Sequence, residues 1–274
     1  MTSKPLPEGA LEEGRIFFFY RPRVAMDHPH SVDDVQRFYM IMSPVSGPDA
    51  PHRLLIVGKK RLPEKRERFF GFVEAVSDQM EKLTEEFGLK ERETKTRGKR
   101  VTQPARVAGE GAYTLAEHGG NVVLAYKLEA PEQPGEVQDE LGIKQESSLV
   151  ISVKNPTIGS PPNAGLEHKA KYSEKQMQEF GDYNWIPVRD PSLLDVPHAE
   201  FLLILARAGA KDVKGEIGQA AEHMEQAAKE DVEHFKEEHP DDDAHTALIE
   251  KLRSETRAEK PHMPVEPAVE GKWE

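Results

Sequence analysis

The chain has 274 residues, 31% charged and 37% hydrophobic, with a formal net charge of −12 and no cysteine. Domains run to ~100–200 residues, so one large or two small domains are allowed, with enough length to bury a core without staples. The lack of cysteine excludes disulfides, thiolate nucleophiles, cysteine-based zinc sites and iron–sulfur clusters, and it fits a reducing compartment, so a soluble, cytoplasmic protein is expected.

Residues 1–13 read as a Pro/Gly/Glu-rich flexible lead without the apolar stretch of a secretory leader. Ile16–Tyr20 is a continuous apolar and aromatic run, the pattern of a strand buried on both faces. Asp27-His-Pro-His30 is a loop, and Ser31 with Asp33 and Asp34 can cap a short helix. Arg37–Met42 and Leu54–Val57 follow as strands. Over 63–87, Phe69, Phe72, Val73, Val76, Met80, Leu83 and Phe87 recur at intervals of three and four, which predicts one long amphipathic helix stopped by Gly88.

Tyr113–His118 and Asn121–Leu128 flank Gly119-Gly120, the signature of a hairpin with a primed two-residue turn. A short helix is predicted over 134–141, ending at Gly142. Leu149–Val153 is a strand, and Ser173-Glu-Lys-Gln176 fits a capping box. Trp185–Val188 is an edge segment, since Pro187 has no N–H for a ladder. Phe201–Ala206 is the last core strand. The remainder reads as helix over 216–239 and again over 244–258, and then as a proline-rich end. No apolar run approaches the ~20 residues of a membrane helix, so no membrane partner is expected.

These elements predict an α+β fold: a mostly antiparallel sheet core with one long amphipathic helix and an acidic helical tail. The expected divisions are a lead over 1–13, a core over 14–210, a tail over 211–260 and a disordered end over 261–274. Phe19-Tyr-Arg-Pro22 resembles Val153-Lys-Asn-Pro156, and each precedes a later aliphatic strand. Two similar halves would explain this, although short aliphatic strands commonly look alike.

Motifs for catalysis fail on spacing. Gly98-Lys99 lacks the hydroxyl residue and the earlier glycine of a phosphate loop, and Gly109-Glu-Gly111 opens a strand instead of a helix. Gly159-Ser160 runs into two prolines, which cannot form a nucleophile elbow. His234 and His239 are five apart, off the one-turn spacing that puts two zinc ligands on one helix face. His223, Glu230, His234 and Glu238 share a face, which reads as the wet side of an acidic helix. Asp27, His28 and His30 form the densest set of oxygen and imidazole groups, so a metal-assisted hydrolase using the Asp27–Asp34 loop is one functional reading. No cofactor is implied.

Charge distribution supports another reading. Residues 59–106 hold 14 bases and 9 acids, net +5, whereas 211–274 hold 18 acids and 9 bases, net −9. Lys59, Lys60, Arg61, Lys95, Arg97, Lys99 and Arg100 are the expected polyanion-binding residues, since phosphate neutralisation needs such a cluster. The leading expectation is a non-catalytic interaction protein with a protein partner, or a nucleic acid or other polyanion, on this surface. The acidic tail would dock the partner or cover the surface.

Overall fold

The computed structural model describes residues 6, 9–45, 50–94, 98–159, 166–206, 244–258 and 262–273. Its strands are β1 (Ala10–Pro22), β2 (Val35–Pro44), β3 (His52–Val57), β4 (Arg68–Ser77), β5 (Lys90–Thr94), β6 (Gly98–Thr102), β7 (Arg106–His118), β8 (Asn121–Ala130), β9 (Glu146–Lys154), β10 (Trp185–Pro187) and β11 (Glu200–Leu205). Eight of them close into an antiparallel barrel in the order β1-β2-β3-β4-β11-β9-β8-β7, with β7 returning to β1. β5 and β6 form a separate hairpin, and β10 adds to the edge of β9 beyond the end of β8. Helices are short: α1 (Met80–Thr84), α2 (Glu136–Glu140), α3 (Glu174–Phe180), α4 (Ala244–Thr256) and α5 (Glu266–Glu270). Among the described residues no helix is long and apolar enough to cross a membrane.

This overturns the α+β expectation, and the long amphipathic helix with it. Residues 68–77 form β4, followed only by α1 and a 3₁₀ turn over Glu85–Phe87. The segment Phe69-Phe-Gly-Phe-Val73 satisfies a period of two as well as one of 3.6, and local preference decides. Aromatic and β-branched residues favour a pleated surface, and a mid-helix glycine costs about 1 kcal/mol. Phe69 and Val73 point into the barrel, and Phe70 points out. Gly71 is itself an inward position, where a Cβ would meet the Phe201 ring at 2.3 Å.

The continuous burial of β1 is explained by two layers. Ile16, Phe18 and Tyr20 join the barrel interior, where Phe18 stacks on Phe38 and meets Tyr126 edge-on. Phe17 and Phe19 point outward into a second apolar cluster with Tyr39, Ile41, Leu83 and Phe87. Leu252, Met263, Val265 and Ala268 complete that cluster, so α4 and α5 cover the outside of the barrel. The proline-rich end is therefore packed, against the expectation of disorder. Pro264 offers its carbonyl to the Val107 amide at 2.9 Å, Pro267 lies in the first turn of α5, where proline fits, and Trp273 packs on Tyr20. A buried ion cluster pins α4: Lys251 lies 3.6 Å from the fully buried Glu110, which also pairs with Arg15.

The expected flexible lead is shorter than 1–13. Residues from Ala10 onward pair with β7, and Glu12 and Glu13 are buried. Inside one end of the barrel, Arg53 donates to both oxygens of Glu12 at 2.6 and 2.8 Å and to Asp195 at 2.5 Å, while the Tyr113 hydroxyl donates to Glu12 at 2.7 Å. Burial opposes the Arg53 charge, but Glu12 more than offsets it and raises the guanidinium pKa. Burial pushes the Tyr113 hydroxyl well above its usual range. Asp195 follows a 3₁₀ turn over Pro191–Leu194, so this network ties the closing segment to the barrel wall.

Several expectations hold. β7 and β8 form the predicted hairpin with His118 opposite Asn121, and Gly119 and Gly120 take φ +57° and +79°. α2, the Ser173–Gln176 capping box at α3, and β10 as an edge segment all match. The barrel is two four-strand meanders, β1–β4 and β7-β8-β9-β11, joined along β1–β7 and β4–β11. The similar Phe19–Pro22 and Val153–Pro156 segments do not fall at equivalent places, since β1 lies at a seam and β9 inside a meander. The helix read over 216–239 and the division at residue 211 lie outside the described residues.

Candidate ligand-binding groove

The barrel interior is filled by side chains, so the concavity of interest lies on its outer surface. A groove of about 520 Å³ runs over β2, β3 and β4. Tyr39, Leu54 and Ile56 form its apolar floor, and Leu83 of α1 and Phe87 of the following turn form one wall. Phe87 is fixed by its rings' neighbours, Phe19 at 5.1 Å and Tyr39 at 4.8 Å between centroids. Lys90 and Thr102 bring the β5–β6 hairpin to the rim.

Strand alternation places the charged groups. Along β2 the residues Phe38, Met40 and Met42 enter the barrel, which leaves Arg37 and Tyr39 on the outer face, two positions apart. On β1 the outward set that includes Phe17 and Phe19 ends at Arg21. The β1–β2 register sets Arg21 directly opposite Arg37. Like charges facing each other across a ladder are destabilising unless something neutralises them.

Neither arginine has a carboxylate partner among the described residues. Arg21 is 6% exposed and donates through Nη2 to the Glu86 carbonyl at 2.7 Å, while its Nε is buried without a hydrogen-bond partner. Burial lowers the Arg21 pKa, and the neighbouring Arg37 lowers it further. Burial likewise raises the Tyr39 pKa, helped by Glu74, against the opposing pull of Arg21 and of Arg37, which also hydrogen-bonds the Tyr39 hydroxyl. The Tyr39 hydroxyl therefore stays protonated at neutral pH and can donate. Both lysines of the rim are already matched, Lys82 to Asp78 at 3.5 Å and Lys90 to Glu86. Among the described residues the lining contains no histidine or serine. It offers an apolar floor, two unmatched guanidinium groups and a hydroxyl donor, which is binding chemistry for an oxyanion.

The residues singled out in the sequence fall elsewhere. His28 and His30 are exposed. The Asp27 carboxylate accepts from the Gln103 side chain, the Asp27 carbonyl accepts from Arg106, and the His30 amide donates to Asp34. Among the described residues no group of three or more His, Asp or Glu side chains is placed to hold a metal.

Lys59, Lys60 and Arg61 occupy the β3–β4 connection. Arg61 pairs with Glu67 at 2.7 Å and lies over the Phe69 ring. Lys99 and Arg100 are on β6, and Lys95 and Arg97 lie outside the described residues, as does the His223–Glu238 stripe. The described part of the tail meets the basic stretch through one of its acids, with Arg257 2.9 Å from Glu81. Spacing alone could not reveal the groove, because Arg21 and Arg37 become neighbours only through the β1–β2 register. The usable signal was the Arg37-Phe-Tyr39 alternation on β2. No known protein family, curated protein or solved structure matches the chain.

Proposed function

We propose that this is a non-catalytic binding protein, and that the groove over β2–β4 takes a small ligand with an apolar body and an anionic head. The observation that supports this is the facing pair Arg21 and Arg37, one of them buried, without a carboxylate partner among the described residues. A buried cation without a counter-charge is costly, and a bound anion removes that cost. The volume lies within the ~300–1,000 Å³ typical of small-ligand sites.

The probe for this reading is anilinonaphthalene sulfonate, an aromatic body with one fixed negative charge. Saturable binding at one site per chain is expected, followed by fluorescence. Arg37→Gln should weaken it by roughly tenfold to a hundredfold, about the 1.5–3 kcal/mol of a charged hydrogen bond. Arg37 is exposed, so the barrel should keep its thermal midpoint. Absence of saturable binding, or equal binding by Arg37→Gln, would refute the reading.

A further inference from the structure

We infer that the head-group subsite between Arg21 and Arg37 is built for a phosphate monoester carried on an apolar body. The inference rests on the groove reading above and narrows it to one ligand class. Its basis is local charge and donor geometry. Lys82 and Lys90 have acid partners, so the two unmatched positive charges beside Tyr39 are those of Arg21 and Arg37. A carboxylate or a sulfate monoester offers one negative charge, whereas a phosphate monoester carries close to two at neutral pH. Its three terminal oxygens can accept from the remaining N–H groups of Arg21 and Arg37 and from the Tyr39 hydroxyl, and guanidinium groups suit that geometry better than ammonium groups.

The far end of the groove adds a second selection. Glu74 lines it on β4, two strands from β2, within electrostatic reach of Tyr39. Its carboxylate disfavours a ligand with a second anionic group at the distal end. Leu54 and Ile56 on β3 lie between the strands that carry Arg37 and Glu74. The preferred ligand therefore has one anionic head and an uncharged apolar body.

The experiment titrates the full chain with octyl phosphate, octyl sulfate, octanoate and inorganic phosphate by calorimetry. Octyl phosphate should bind roughly tenfold tighter than the two monoanions, a difference of about 1.4 kcal/mol. Its affinity should fall as pH drops from about 7.5 to about 5, through the phosphate's second pKa of about 6. Octyl sulfate keeps its charge throughout, so its affinity should stay flat. The charged groups lining the groove are Arg21 on β1, Arg37 on β2, Glu74 on β4, Lys82 on α1, Glu86 on the following 3₁₀ turn, and Lys90 on β5. Arg37→Lys keeps the charge without the fork and should lose part of the preference for phosphate.

Phosphatidate in phosphatidylcholine vesicles separates a membrane lipid from a free ligand. Binding of octyl phosphate alone supports a soluble ligand, and binding of both supports the same head group presented by a lipid. Equal or tighter binding of octanoate, a pH-independent octyl phosphate affinity, or equal binding of inorganic phosphate would overturn the inference and leave the groove reading standing. Failure of every amphiphile together with anilinonaphthalene sulfonate would overturn both.

Discussion

Replacing Arg53 by methionine tests the barrel's internal charge network. Arg53 is 2% exposed and makes a two-pronged bond to Glu12, itself buried, plus a third bond to Asp195. Arg53→Met keeps much of the side-chain volume but strands the Glu12 carboxylate among apolar residues. Breaking a buried pair from one side costs about 3–5 kcal/mol, a large part of the 5–15 kcal/mol that typically holds a domain together. Glu12→Gln leaves Arg53 its Asp195 partner and leaves Tyr113 an acceptor, so about 1–3 kcal/mol is expected. Asp195→Asn, at a partly exposed site, should cost less than either. The double variant Arg53→Met/Glu12→Gln removes the stranded charge and should be more stable than Arg53→Met alone. Urea unfolding of the four variants followed by circular dichroism reads these differences. If Arg53→Met costs no more than Asp195→Asn, or the two substitutions simply add, the network does not hold the barrel end in the way its geometry indicates.

Gly119→Val should destabilise by about 1–2 kcal/mol, because a β-branched residue resists the positive φ of the hairpin turn, while Gly119→Asn should be nearly neutral in thermal melts. Val265→Asp places a charge at a fully buried position under α5 and should detach the covering segment, read as faster proteolysis within 244–258. Proteolysis unchanged from wild type would show that α5 contributes nothing to holding α4. Alkaline stability should fall from about pH 10 toward 12, because Tyr113 and Tyr126 stay neutral in the fold, with Tyr126 raised to about 12 by burial, while their unfolded forms ionise. Each removes up to about 1.4 kcal/mol per pH unit in that window, and Tyr126→Phe should reduce the slope of stability against pH.

Much of the strand inventory was legible because it depends on local signals. The Gly-Gly turn, the apolar run of β1, the capping box and the proline of β10 each act within a few residues. The error over 63–87 arose where two periodicities fit the same side chains, and the aromatic and β-branched residues around Gly71 tip the balance to a strand. The packed proline-rich end misled for a different reason. Low hydrophobicity suggested disorder, but Met263, Val265 and Ala268 are few and placed against a face that β1 and β7 already supply. The groove was illegible because its two arginines sit on different strands, and their meeting is a property of register. Net charge over 59–106 does not show which cations are matched locally, and Arg61, Lys82 and Lys90 each pair with a nearby acid.

The outward aromatics of β1 have a consequence for biosynthesis. Phe17 and Phe19 leave the ribosome more than 200 residues before residues 252–268, which help bury them. At about 5–20 residues per second that interval is roughly 10–50 s. For the first part of it, until residues 106–118 are made, the nascent chain presents an aromatic strand that lacks its ladder partner β7. Such an edge is a template for pairing with other chains. Yield in the cell should therefore depend on how translation speed and chaperone supply protect that strand, more than on the stability of the finished barrel.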